Sequence, residues 1–219
     1  MAPRKVTQGF LITFDGPEGC GKSTQAKVLA RALRRKGFRV VLTRDPGGSP
    51  IAEEIRGLLL DPRYHGLSPF AEVLLYETCR ASLVQEVILP ALQKGNVVIC
   101  DRFSDATQVY QGMAGGVPIL WIRKIDQKVC QGVTPHITFI LDVDSRQGLR
   151  RLRRGRSFDR MEGKPLRFHE AVRRGYRKIA KASRRIRWIP SLPLETVKNL
   201  VFKETHRVLQ RHFGAARRD

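Results

Sequence analysis

The chain has 219 residues, 42% of them hydrophobic, enough for one α/β domain with a large core, with or without a mobile lid. No apolar run approaches the roughly 20 residues of a membrane span, and Met1-Ala-Pro-Arg-Lys lacks the apolar stretch of a signal peptide, so neither a membrane protein nor an exported one is expected. The net charge is +21, and residues 146–219 hold 23 of the 41 Lys and Arg but only 6 of the 20 Asp and Glu, which makes a nucleic-acid surface a reading to be weighed.

In chain order, Phe10-Leu-Ile-Thr-Phe14 reads as a short buried strand. Next comes Gly16-Pro17-Glu18-Gly19-Cys20-Gly21-Lys22-Ser23, which fills every fixed position of the pattern G-x-x-x-x-G-K-[ST]. Ala26, Leu29, Ala30 and Leu33 then recur at helical spacing. Strand, glycine loop and helix in that order form a polyphosphate cradle. Glycines let backbone N–H groups turn inward, and the helix start adds its positive dipole end. Gly16 through Thr24 are therefore the candidate nucleotide-binding residues. Lys22 serves as a point charge for the outer phosphates and the Ser23 hydroxyl as a magnesium ligand.

Val40-Val-Leu42 is the second predicted strand and ends in Thr43-Arg44-Asp45-Pro46-Gly47-Gly48-Ser49, a tight turn with Arg44 and Asp45 at the strand end. The third, Val97 to Cys100, runs into Asp101-Arg102-Phe103. An acid closing an apolar strand beside a phosphate loop can orient hydrated magnesium, and the next arginine can grip a phosphate with its planar fork; an Asp101–Arg102 ion pair is the bland alternative. Ile137 to Leu141 and Arg187-Trp-Ile189 read as the fourth and fifth strands. With helical patterns between them, the alternation predicts a parallel sheet of about five strands covered on both faces. Gly37, Gly57 and Gly95 are placed at helix ends. Phe168, Val172, Tyr176 and Ile179 form one apolar stripe, and Val197, Leu200, Val201 and Val208 another.

Between the fourth strand and the Phe168 stripe, Arg150 to Glu162 packs six arginines beside two carboxylates. As a fixed helix face it would repel itself, so it needs anions: a transferred phosphoryl group or, in competition, a nucleic acid. Cys20, Cys79, Cys100 and Cys130 show no metal or disulfide spacing, which suits a reducing cytoplasm. Cys20 is read as a small filler in its loop. None of the five histidines lies in a motif.

Taken together, F-D-G-P-E-G-C-G-K-S-T-Q, T-R-D-P-G-G-S, the A-E-E-I-R helix, D-R-F-S-D-A-T-Q-V-Y-Q-G and R-G-R-S-F-D-R-M-E resemble, in that order, the thymidylate kinase family, from Gly9 to about Leu209. The resemblance implies the P-loop nucleoside monophosphate kinase fold in a single domain, with an arginine-rich lid at about residues 146–165. It also implies transfer of the ATP γ-phosphate to dTMP with Mg2+, a homodimer, and no specific nucleic-acid partner. By the same resemblance Glu18 reaches the acceptor sugar, and Arg44 and Arg102 grip the acceptor phosphate. Tyr76 stacks on thymine, Arg80 donates to its O4, Thr107 and Gln111 line the base site, and Tyr110 crowds the 2′ position. Asp101 lies near the metal. With no arginine in the phosphate loop, Arg153, Arg154 and Arg156 of the lid are expected to act in catalysis with Lys22 and Arg102. Asp15, Asp45, Phe103 and Ala106 depart from the commonest family residues. A deoxynucleoside kinase of similar fold would need a carboxylate base at Glu18 or nearby. A basic nucleic-acid-binding protein would show steeply salt-dependent DNA binding without turnover.

Overall fold

The computed structural model describes residues 9–153 and 157–215. Its five strands are β1 (Phe10–Asp15), β2 (Val40–Arg44), β3 (Val97–Asp101), β4 (Ile137–Leu141) and β5 (Ile186–Ile189), all parallel, in the spatial order β2-β3-β1-β4-β5. Parallel neighbours require crossovers, which the helices supply: α1 (Lys22–Arg35), α2 (Pro50–Leu60), α3 (Pro69–Leu83), α4 (Leu89–Gln93), α5 (Ser104–Thr107), α6 (Ile119–Val129), α7 (Ser145–Arg153), α8 (Leu166–Ala182) and α9 (Leu194–Ala215). Every residue of β1 is buried, because it is the central strand and helices cover both its faces. Phe10, Ile12 and Phe14 pack towards α1 and α9 with Leu29, Leu33 and Val201, whereas Leu11 faces Leu83, Ile88 and Leu92. Alternation of side chains along a strand produces this division.

The register sets the site. Asp15, Arg44 and Asp101 close three adjacent strands at the same edge, with Phe14 opposite Asp101 and Arg44 opposite Asp101. The chain departs from β1 to both sides, β3 on one flank and β4 on the other, so the crevice beyond the carboxyl ends of these strands is the topological switch point. Two π-helical stretches interrupt the helical layer, Val84–Ile88 and Gln108–Ala114. The second carries Tyr110 and Gln111, and such wide turns cluster at functional sites.

The predicted five-stranded parallel sheet is present, and its apolar runs are the strands. Two details differ. Gly57 lies inside α2, where its carbonyl accepts from the Asp61 N–H, so the helix ends three residues later than expected. In α9, Val197, Val201 and Leu209 are buried, whereas Leu200 is 37% exposed, because the 3.6-residue period carries it off the core face. Among the described residues no helix is long and apolar enough to cross a membrane, and the four cysteines are free thiols.

Candidate active site

A cleft of about 830 Å³ opens beyond the strand ends and runs from the phosphate loop to Tyr76, Thr107 and Gln111. The loop between β1 and α1 is shaped by left-handed glycines. Gly21, at φ 93°, is the N-cap of α1 and has nothing within 4 Å of where a Cβ would sit, so its demand is for backbone conformation alone. Gly19 answers a different need: a Cβ there would lie 2.2 Å from the Gly148 carbonyl oxygen of α7, and one on Gly148 would lie 2.1 Å from the Glu18 carbonyl oxygen. α7 therefore lies directly on the phosphate loop, backbone against backbone.

Lys22 is expected to be an exposed phosphate contact; the structure corrects this. Its side chain is buried and its ammonium curls back to donate to the carbonyls of Gly16 (3.1 Å) and Pro17 (2.8 Å), since an unshielded cation in this loop takes the nearest acceptors. Cys20 is half-buried beside it, and burial pushes its thiol up, in keeping with a filler rather than a reactive nucleophile. Ser23 Oγ donates to Asp101 Oδ2, which brings together the two residues assigned to magnesium. Asp101 and Arg102 do not form the alternative ion pair, because Arg102 turns the other way.

Arg102 stands at φ 69°, the left-handed region that a non-glycine residue occupies at a cost on the order of 1–3 kcal/mol. That backbone turn delivers its guanidinium into a cluster that over-determines it. Nη2 donates to Glu18 Oε1 at 2.6 Å and to the Tyr110 hydroxyl at 3.1 Å, and Nη1 reaches the Gly16 carbonyl and the Tyr176 hydroxyl at 3.2 Å each. The Tyr110 hydroxyl itself donates to Glu18 Oε1 at 2.7 Å. Burial pushes the Glu18 carboxyl up, but Arg102, Lys22 and the Tyr110 hydrogen bond outweigh it and hold the group at about 2. Behind this triangle Tyr176 donates to Asp15 at 2.9 Å. Burial, reinforced by Asp105, raises Asp15 to about 8 and leaves its other oxygen without a partner.

At the far end, Arg80 is fully buried, with Nε donating to Asp45 (2.7 Å), Nη1 to Glu77 (2.6 Å) and Asp126 (3.2 Å), and Nη2 to Thr107 (2.8 Å). Burial, assisted by Asp126 and Asp45, lifts Glu77 to about 7 against the pull of Arg80. Asp45, shorter than the usual family residue, thus finds its contact in Arg80. Arg44 is exposed and pairs with Glu53 at 2.7 Å. The same Glu53 accepts from the Gly48 N–H, and Arg56 donates to the Pro46 carbonyl, so the A-E-E-I-R helix braces the Pro-Gly-Gly turn. Tyr76 and Gln111 line the cleft, Gln111 donating to Glu72 at 2.8 Å.

The lid assignments divide. Arg154 and Arg156 lie outside the described residues. Arg153 lies over the Phe158 ring, 5.3 Å from its centroid. Among the described arginines of this segment, Arg151 meets the phosphate loop, and sequence reasoning missed it: it lines the cleft, with Nη1 3.4 Å from the Gly19 carbonyl. Composition does not single it out; its place follows from the Gly148 contact three residues earlier in α7. Also missed were Glu72, whose carboxylate gathers Gln111, Arg160 and Lys164, and the bidentate Arg185–Asp105 pair that ties α5 to the sheet (2.7 and 2.8 Å). No local pattern announces such long-range pairs. Arg160 is gripped by Glu72 and the Leu59 carbonyl.

A family model described as thymidylate kinase matches residues 14–201. The thymidylate kinase of Symbiobacterium thermophilum is 42% identical over 207 residues, covering 94% of this chain and 96% of its own length. That of Pelobacter propionicus is 44% identical over 180 residues, covering 80% and 82%. A crystal structure of thymidylate kinase from Ehrlichia chaffeensis superposes with a TM-score of 0.72 at 34% identity, covering 92% of this chain and 98% of that one. The family model spans most of the chain and the first two relatives share more than 40% identity over at least four fifths of it, so the chain belongs to the thymidylate kinase family.

Proposed function

We propose how this cleft carries out the reaction of its family, transfer of the ATP γ-phosphate to dTMP to give dTDP. The ATP phosphates lie in the loop Gly16–Thr24, where the N–H groups at the start of α1 and the Lys22 ammonium receive them. Lys22 exchanges its two loop carbonyls for phosphate oxygens. The acceptor lies along the other arm, its phosphate against Arg102 and Arg44, its sugar beside Glu18 and Tyr110, and its base among Tyr76, Arg80, Thr107 and Gln111. The observation that carries this reading is the Arg102–Glu18–Tyr110 triangle, where a phosphate-loop side chain touches the acceptor arm.

Among the described residues no three His, Cys, Asp or Glu gather as a metal site, whereas the Ser23 hydroxyl and the Asp101 carboxylate are in direct contact. Two hard oxygens beside a phosphate cradle suit Mg2+, which takes its remaining ligands from phosphate and water. Bound there, the ion would neutralise charge on the β- and γ-phosphates. The acceptor monoester has a second pKa near ~6 and is already an anionic nucleophile at neutral pH, so no side chain need remove a proton. What remains is alignment of two polyanions and screening of their repulsion, the work of Lys22, Arg102 and the lid.

A homodimer fits the same reading. Phe70 and Leu74 on α3 and Leu120 and Trp121 on α6 are exposed on two helices that pack together through Val73 and Ile122. Free thiols suit a cytoplasmic setting. The test is ADP release across a panel of nucleoside monophosphates and thymidine, with sedimentation to give the oligomeric state. Turnover of dTMP well above the others supports the assignment; preference for thymidine, or DNA binding without turnover, defeats it.

A further inference from the structure

The acceptor arm and the lid share one buried anchor outside the groups that meet substrate. Glu72, on α3, is 1% exposed. Its Oε2 accepts from the Gln111 amide at 2.8 Å, and its Oε1 accepts from Arg160 at 2.5 Å and from Lys164 at 2.9 Å. Arg160 and Lys164 flank the turn that leads out of the lid into α8. Arg160 is also fastened to the end of α2, its Nε donating to the Leu59 carbonyl at 2.7 Å and its N–H to the Leu60 carbonyl at 2.9 Å. One carboxylate thus ties α3, the π-helical stretch, the end of α2 and the C-terminal root of the lid.

We propose that Glu72 is a positioning residue for the phosphoryl transfer: it fixes the lid root and the Gln111 amide relative to each other, so that lid closure is registered on an occupied acceptor site. This rests on the acceptor assignment made above. A lid that closes from a loose root brings its arginines to the wrong place, and misplacement on the order of 1 Å remote from the chemistry costs up to about 100-fold in rate. The arrangement is also more than a stabilising ion pair. A buried pair is often replaceable by apolar residues without loss of stability, and here Arg160 Nη2 is left buried without a partner, a poor solution if stability were the only return. Gln111 gains a fixed orientation: with its NH2 committed to Glu72, the amide carbonyl remains as its acceptor. The carboxylate is held ionised, since the hydrogen bonds from Gln111, Arg160 and Lys164 outweigh the upward push of burial.

The test compares Glu72→Gln, the double variant Glu72→Gln/Arg160→Met and Lys164→Met with wild type, in steady-state kinetics on both substrates and in thermal unfolding. Glu72→Gln is expected to raise the KM for dTMP and lower kcat by about 10-fold each, with the KM for ATP within two-fold. The double variant removes the stranded cation, so it should regain thermal stability while the kinetic defect persists. It also serves where the single variant does not fold. Lys164→Met, which takes away a half-buried partner and strands nothing, should show the same split at about three-fold. Kinetics that recover together with stability, or a dTMP KM and kcat within two-fold of wild type in Lys164→Met, would overturn the proposal. Failure of the acceptor assignment is separate and appears as wild-type protein that does not turn over dTMP.

Discussion

Glu18→Gln removes one negative charge from the centre of the site while keeping the shape of the side chain, and the structure sets the size of the effect. In the folded protein the carboxyl titrates at about 2, against an ordinary value of 4.5. At about 1.4 kcal/mol per pKa unit, the folded environment favours the ionised form by roughly 3 kcal/mol. This is an upper figure, because the side chain keeps 15% of its surface in solvent. Because the folded value is depressed, the stabilisation is complete above pH 4.5 and drains away as the pH falls towards 2. By pH 3.5 roughly 1.5 kcal/mol of it should be gone. An amide has no such dependence. Urea unfolding of wild type and Glu18→Gln at pH 7, 5 and 3.5 measures the difference directly: the gap between the two proteins should narrow by roughly 1.5 kcal/mol across that range, a midpoint shift on the order of 0.5 M. At neutral pH the variant should also lose activity, since Arg102 and Tyr110 lose the acceptor that orients them. Stability curves that stay parallel from pH 7 to 3.5 would refute the electrostatic account of the triangle.

Other substitutions separate the remaining roles. Lys22→Ala should abolish turnover and, because the ammonium bonds only within its own loop, to the Gly16 and Pro17 carbonyls and Cys20 Sγ, change stability by no more than about 1.5 kcal/mol; retained turnover removes the nucleotide assignment. Arg151→Ala should lower kcat on the order of 10²-fold with little change in the KM for ATP, and by more than Arg153→Ala, which stacks on Phe158; the reverse ranking in steady-state kinetics would return the duty to Arg153. Arg80→Ala should weaken dTMP binding by about 1–3 kcal/mol. It should also destabilise the fold by about 3–5 kcal/mol, because Asp45, Glu77 and Asp126 are left facing one another; an unchanged Tm would show that these acids take up protons without cost.

Much of the architecture was legible in the sequence because a parallel sheet buried on both faces writes its strands as unbroken apolar runs, as in Phe10–Phe14 and Val97–Cys100. The phosphate loop was legible because its geometry demands glycine at fixed spacing. The acceptor arm came through resemblance, and the structure brings its residues to one cleft. What stayed hidden depends on partners distant along the chain. Nothing near Glu72 or Asp105 in sequence marks either as the partner of Arg160 or Arg185. Lys22 read as exposed because a sequence pattern names its phosphate role and not the backbone acceptors, Gly16 and Pro17, that bury its ammonium in the loop. Among six closely spaced arginines, composition marked the segment but not which member meets the phosphate loop; the contact of Arg151 follows from the helical phase set by Gly148.

The two facing glycines, Gly19 and Gly148, also limit how this enzyme can change. Where two backbones touch, neither position can accept even a methyl group without pushing the other backbone away, so both stay glycine as long as α7 keeps this contact. Insertions that lengthen or re-tune the lid are confined to the chain beyond residue 148, which is where the arginines lie. A laboratory selection for altered phosphate donors should accordingly collect its substitutions in the 149–158 stretch and leave the glycine contact untouched, much as a door is refitted without moving its frame.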